Sequence, residues 1–533
     1  MFTSYAFAGF LAAVFVLYYV IPRRFQWMLL LAASLLFYFY AGKSYLVFIF
    51  LTGITVYASG RWMAKFDAEL ERYIQEIRSG GIPKPSREEK KAYKKKINGK
   101  KKRVMLLCLF LNIGILAVLK YTNFFIDNIN YFRELSGAQP FSFMNLILPM
   151  GISFYTFQAV GYLLDVYWNK CRPQKNIFRF LLFVSFFPQL VQGPISRYGD
   201  MSETLYGGHS FDWKQVRFGL ERILWGYFKK LVIADRISAA VGMLMEDPDY
   251  YTGAFVVVGM LFYAVQLYAD FTGGIDITIG IAQVFGIRLE ENFVRPFFSK
   301  NIAEYWRRWH ITMGTWFRDY VFYPFSISRP LKAVTSFCKK RFGMAVARRA
   351  AVYISTVVVW LATGIWHGAA WHFVAWGLAN GVIILISEEL EPCYKAFHTR
   401  FTKLGSSTAY RAFQVIRTFL LMCCIRLFDN YGSVRTSVRQ FIHMFTEFDI
   451  RAVTGQELLD LGLGIRDYAV VGIGVILMFA VSMGGRTGCL REKISRRPYA
   501  IRYTVFLTLF FAVLLLGCYG ANFDARQFIY NQF

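Results

Sequence analysis

The feature that most constrains this chain is a succession of apolar runs, each about as long as a bilayer is thick, separated by clusters of charge. A helix needs about 20 predominantly apolar residues to cross the hydrocarbon core. Runs of that kind lie at 4–21, 27–41, 44–62, 104–121, 147–168, 177–195, 215–234, 252–269 and 271–286. Further runs lie at 351–366, 371–388, 411–428, 467–483 and 503–520. Several are short or interrupted by Gly or Pro, so half-spans and re-entrant pieces are expected among them. The pattern predicts an all-α polytopic membrane protein with about eleven to thirteen crossings. Composition argues against a soluble fold: with 56% hydrophobic and 18% charged residues, too little polar surface remains to cover a core.

The formal net charge of +27 has a membrane explanation. Its bases lie mainly in loops beside apolar spans, where the positive-inside rule places them and anionic head groups balance them. Nucleic acid is not needed as a partner. The stretch 61–103 contains Lys94, Lys95, Lys96, Lys100, Lys101, Lys102 and Arg103, and is expected to be a cytoplasmic loop, partly helical around 68–77. Counting back three spans puts the amino terminus outside and Arg23 and Arg24 inside. The segments 329–349 and 486–502 read as cytoplasmic too, and one last span carries the carboxyl terminus out. The first segment has no basic n-region and no small-residue cleavage site, so it reads as a retained span. The eight cysteines form no C-x-x-C pair and no zinc-spaced cluster, so neither a disulfide framework nor a structural metal is expected.

Chemistry concentrates in the run from Tyr268 to Pro324. Ionisable groups at membrane depth are costly and either line a cavity or pair with one another. Asp270, Arg307, Arg308, His310, Arg318 and Asp319 could neutralise one another around a buried polar funnel. A purely structural ion-pair network is an equally open reading. The second constellation is Thr363-Gly364-Ile365-Trp366-His367-Gly368, at the end of a strongly apolar span. Apolar surroundings favour the uncharged imidazole, which is a suitable general base at physiological pH. The two glycines leave room for a substrate or for another helix. On spacing alone, His367 reads more readily as a packed core histidine, and His372 shares that reading with less support.

Taken together, these stretches resemble the membrane-bound O-acyltransferase (MBOAT) family in its bacterial AlgI/DltB-like branch. The resemblance rests on Tyr-Trp-Arg-Arg-Trp-His at 305–310, Trp-Phe-Arg-Asp-Tyr at 316–320 and Gly-Ile-Trp-His-Gly at 364–368. Upstream, PMGISFYTFQ at 149–158 and FPQLVQGPISR at 187–197 also fit. It departs at Thr312-Met313-Gly314, where many relatives have Ser-Leu-Ser, at Tyr323-Pro324-Phe325-Ser326, where many have Ile-Pro-Leu-Gly-Gly, and at His372, where relatives carry Thr or Asn.

The resemblance implies one membrane domain over 1–533, with the catalytic motifs in 268–388 and helices arranged as a ring around a central funnel. It implies His367 as the catalytic residue, with His310 also implicated. Asp270, Asn292, Trp306, Trp309, Asp319 and Trp366 would line the funnel, and Arg307 and Arg308 would meet the donor's phosphates. The reaction implied is transfer of an acyl group, acetyl above all, from a cytosolic thioester such as acetyl-CoA to a hydroxyl of an envelope glycan. Transfer would be direct or through an extracytoplasmic acetyltransferase partner, in a bacterial plasma membrane, with no bound cofactor. D-alanyl transfer to teichoic acid from a cytosolic carrier-protein thioester is the nearest alternative. A transporter is the alternative of another class, although its usual matching halves are not evident. The aromatic tail at 521–533 resembles a terminal motif in which a tyrosine relays the acyl group, making Tyr530 a relay candidate, although a terminal aromatic cluster reads more readily as an interfacial anchor.

Overall fold

Apolar sequence with few strand signals forms helix throughout the computed structural model, which describes residues 2–450, 454 and 456–519. The chain divides into two units. One comprises Gly9–Asp212 with Phe285–Leu289, and the other Met1–Ala8, Trp213–Val284 and Glu290–Phe533. Among the described residues, eight helices are long and apolar enough to cross a membrane, and Tyr5–Val20 and Ile177–Gln192 form shorter apolar helical stretches.

In the first unit the helices are α1 (Tyr5–Val20) from Gly9 onward, α2 (Gln26–Ala41), α3 (Tyr45–Arg78), α4 (Arg87–Leu135), α5 (Ile152–Tyr167), α6 (Ile177–Ser185), α7 (Phe187–Gln192) and α8 (Tyr198–Tyr206). The expected loop at 61–103 is instead mostly helix: α3 continues to Arg78 and α4 starts at Arg87. Lysine-rich sequence is compatible with helix, and Ser86 supplies the start signal. Its hydroxyl accepts the Glu89 amide at 3.1 Å while the Glu89 carboxylate accepts the Ser86 amide at 2.7 Å, a reciprocal capping box. Lys101 reaches Asp67 at 2.7 Å and Tyr73 stacks on Tyr93 at 4.0 Å, so the two helices zip together beyond their apolar parts.

The second unit contains α9 (Trp213–Tyr227), α10 (Asp235–Glu246), α11 (Ala254–Val284), α12 (Ile302–Arg308), α13 (Ile311–Phe317), α14 (Tyr323–Ser326), α15 (Arg329–His367) and α16 (Trp371–Glu389). It continues with α17 (Glu391–Arg400), α18 (Thr402–Ser406), α19 (Thr408–Ile425), α20 (Leu427–Asn430), α21 (Val434–Thr446), α22 (Ile465–Gly484), α23 (Leu490–Ser495) and α24 (Tyr499–Leu516). A π-helical segment, Phe228–Ala234, joins α9 to α10 without a loop. The runs at 252–269 and 271–286, expected as two spans, form the single helix α11. Gly273 is tolerated inside it because glycine is what the packing there requires. A Cβ at Gly226 of α9 would lie 2.6 Å from the Gly273 carbonyl, and one at Gly219 would lie 2.7 Å from the Gly280 carbonyl. Small residues let helix backbones approach this closely where apolar burial gives little drive between helices. The stretch 329–349 likewise turns out helical, as the first part of α15, with a break at Gly343 (φ 87°).

This crossing yields a test. Gly226→Leu should lower stability by about 1–3 kcal/mol through overpacking, read as a lower melting temperature in detergent. Gly242→Ala in α10, where nothing lies within 4 Å, should leave it unchanged or raise it. Equal melting temperatures for wild type and Gly226→Leu would remove the close crossing from the account.

Candidate active site

The site begins with a clamp. Asn292 is fully buried and its side-chain oxygen accepts from the Thr312 amide at 3.1 Å and the Thr312 hydroxyl at 3.0 Å. Its carbonyl accepts from the Ile311 amide at 3.0 Å, and the Val294 amide donates to the Arg308 carbonyl at 2.9 Å. These bonds pin an antiparallel bridge between Phe293 and Trp309. They hold His310 at the start of α13 in the left-handed region (φ 48°), which a non-glycine residue seldom adopts. Asn292 therefore fixes a backbone. The His310 ring is 1% exposed and lies edge-on to Phe271 at 5.0 Å and to Trp366 at 6.0 Å.

The second half is the hairpin of α15 and α16. A Cβ at Gly364 would lie 2.5 Å from the Phe373 carbonyl, and one at Gly377 would lie 2.4 Å from the Trp360 carbonyl. Gly368 faces the Phe373 ring in the same way, at 2.1 Å. The room these glycines leave is thus taken by the neighbouring helix. The result is that His367, last residue of α15, lies against α16: its ring is 4.5 Å from Trp376 and 5.1 Å from Trp366. Unlike His310 it is only half-buried. Trp366 is in ring contact with both imidazoles and is itself buried.

The remaining expected residues divide among several local pairings. Trp306 donates from its indole to Asn380 at 3.2 Å and packs edge-on to Trp360 and Trp376. Trp309 is stacked with Tyr305 at 5.6 Å and carries the Arg426 guanidinium over its face at 4.6 Å. Arg426 is paired with Asp429 at 2.8 Å. Arg308 pairs with Glu304 one turn away, and Asp319 with its neighbour Arg318 at 2.8 Å, while Arg307 is exposed. Asp270, 1% exposed, is held by Lys230 at 2.5 Å, and Lys230 also meets Asp235 at 2.7 Å. Of the six residues expected to neutralise one another, Arg318 and Asp319 do so, while Asp270 pairs with Lys230 and Arg308 with Glu304 instead.

Lys229 and Lys230 were missed by sequence reasoning although two adjacent lysines inside the apolar run 215–234 were the signal. The π-helical segment aims Lys229 at Asp276 (2.6 Å) and Lys230 at Asp270, and such segments recur at functional sites. Arg222 completes the Asp276 pair at 2.8 Å and also bonds Glu291. Arg426 and Asp429 were missed as well; their i, i+3 spacing after an apolar run could have flagged them. His372 bonds the Gly432 carbonyl at 3.0 Å. Tyr530 lies outside the described residues.

Residues 172–337 match the model of MBOAT, the membrane-bound O-acyltransferase family. The chain is 30% identical to a probable alginate O-acetylase AlgI of Pseudomonas putida over 392 residues, which cover 73% of this chain and 71% of that one. The chain belongs to the MBOAT family. It is also 29% identical to a probable alginate O-acetylase AlgI of Pseudomonas syringae pv. tomato, across 89% of this chain and 82% of that one. A teichoic acid D-alanyltransferase of Bacillus subtilis is 28% identical over 52% of this chain and 68% of its own. These relatives place the chain in the AlgI/DltB-like branch of the MBOAT family, as a multi-pass membrane O-acyltransferase. The matched stretch includes the Asn292 clamp, His310 and the two π-held lysines; His367 lies beyond it.

In this MBOAT enzyme the buried charges make an asymmetric prediction. Lys230→Met removes the ammonium that Asp270 and Asp235 share and should cost about 3–5 kcal/mol. Asp270→Asn leaves Lys230 paired with Asp235 and should cost clearly less. Denaturation in detergent reads both; equal losses would contradict the paired arrangement.

Proposed function

We propose that the enzyme moves an acetyl group from a cytosolic thioester, acetyl-CoA, to a hydroxyl of an extracytoplasmic envelope polysaccharide, directly or through a partner transferase. The observation that carries this reading is the contrast between the two imidazoles. His367, at a helix end, is partly exposed although its Nε2 is buried, whereas His310 is 1% exposed and in ring contact with Trp366. In this reading His367 is the imidazole that meets substrate, and His310 acts as a positioning residue that sets the Trp366 face against which His367 packs.

The chemistry follows from the donor. A thioester carbonyl is already activated, so the protein has mainly to orient the acceptor and remove its proton. His367 takes the hydroxyl proton as the oxygen bonds to the acyl carbon. The carbon–sulfur bond then breaks, and the proton passes to the departing thiolate, which leaves as a free thiol. The basic stretches 61–103, 329–349 and 486–502 support a cytoplasmic donor side, with both chain termini on the other face. The alginate O-acetylase relatives support acetyl transfer to a polysaccharide. The Bacillus subtilis relative favours a second reading, D-alanyl transfer from a carrier protein.

Inverted membrane vesicles containing the enzyme, supplied with radiolabelled acetyl-CoA, should label envelope glycan. His367→Ala should lower the rate by about 10²–10⁴-fold with membrane insertion intact. His310→Ala should fall by less, through a lower kcat. Unimpaired labelling by His367→Ala would remove that imidazole from the mechanism. Labelling only from a charged carrier protein would favour the second reading.

A further inference from the structure

A cavity of about 640 Å³ lies between α9, α22, α23 and α24, within the second unit. Ligand pockets run to roughly 300–1,000 Å³, whereas a packed interior leaves few voids larger than a water molecule. Its walls are helix faces: Trp225 and Phe228 from α9 and the π-helical segment, Leu477 and Val481 from α22, and Leu509 and Ala512 from α24. Each pair lies three or four residues apart and so shares one face. The Trp225 and Phe228 rings are stacked at 5.5 Å and make a flat aromatic wall. None of the lining residues lies on α13, α15 or α16, around the imidazoles.

The cavity has a polar end and an apolar end. The deep end is closed by Leu509 and Ala512, packed on a cluster that contains Phe228, Val471 and Met478. The other end lies where α22 stops at Gly484 and α24 begins at Tyr499, beside the basic stretch 486–502 that marks a membrane–water boundary. From Leu477 to Gly485, which also lines the cavity, the backbone rises about 12 Å. That is most of one leaflet of a hydrocarbon core about 30 Å thick. The outer wall, α24, has an apolar span of which 0% is buried, so the medium around it is acyl chain.

The charges at the polar end are spent on one another, with one exception. Arg222 bonds Asp276 and Glu291, and Glu221 faces Arg217 at 3.3 Å. Arg491 is half-buried and has no carboxylate partner among the described residues. Its guanidinium is held by the Phe218 carbonyl at 2.5 Å and the Gln283 side chain at 3.1 Å. A cation fixed at an apolar rim by neutral oxygens keeps its charge for an anionic group, and guanidinium suits phosphate.

We propose that this cavity seats one acyl chain of a membrane glycerophospholipid, with the lipid phosphate at Arg491. The chain lies against Trp225, Phe228 and Leu509, and the bound lipid couples α24 to α9.

The test uses the full-length enzyme, stripped of lipid in detergent, as wild type, Gly485→Phe and Arg491→Gln. Gly485 lines the cavity and a Cβ there meets nothing within 4 Å, so a phenyl ring enters the space without displacing protein. Each protein is titrated with phosphatidylglycerol and with diacylglycerol of the same chains, and the melting temperature is read. Phosphatidylglycerol should raise it saturably in wild type, since a ligand that binds only the folded state stabilises it. Gly485→Phe should need about tenfold more phosphatidylglycerol for half the effect, and Arg491→Gln about tenfold more as well, close to what wild type needs of diacylglycerol. Equal half-saturation in wild type and Gly485→Phe would overturn the site. If Gly485→Phe does not fold, the two lipids still decide: equal half-saturation by both in wild type would remove the phosphate contact. A rise that never saturates, identical in all three proteins, would mark a bulk solvent effect and overturn the proposal.

Discussion

The site depends on two helix backbones touching. Where α15 crosses α16, Gly364 faces the Phe373 carbonyl and Gly377 faces the Trp360 carbonyl, so no side chain separates them. In a membrane the apolar effect between helices is weak, and close backbone contact is one of the few ways to fix a crossing. The consequence is geometric: the α15 helix ends with His367 laid against Trp376, and α16 then carries that position outward along one face. Any larger residue at the crossing would move the imidazole away from Trp376. The same device recurs between α9 and α11, where Gly226 and Gly273 meet.

Buried charge is the second constraint. An isolated ion at low dielectric is costly, so each must find a partner close by. The π-helical segment answers this by turning consecutive lysines towards different aspartates of α11, Lys229 to Asp276 and Lys230 to Asp270. Arg426 finds both Asp429 and the face of Trp309. These pairs hold the frame of the site.

What the sequence made legible was local. The short motifs around 305–310 and 364–368 named the two histidines, the tryptophans beside them and the family, because each motif is a continuous stretch with its own chemistry. What it hid was tertiary. Nothing in the spacing tied Lys230 to Asp270, forty residues apart, or Trp306 to Asn380, because such partners meet only through helix packing. Charge was also misread as loop. The lysines of 94–103, expected in a loop, lie in helix, since lysine and arginine are good helix formers and mark a membrane side without breaking the backbone. Conversely Asp270 fell between two expected spans, whereas it lies inside one helix, where Lys230 balances it.

The central claim is that a thioester lies with its acyl carbon beside His367. A cryo-EM structure of the full-length enzyme with a thioether analogue of acetyl-CoA, which cannot transfer its acyl group, tests it most directly. The account predicts the acyl carbonyl within hydrogen-bonding reach of the His367 ring. An analogue bound elsewhere, with His367 touching none of it, would contradict the account.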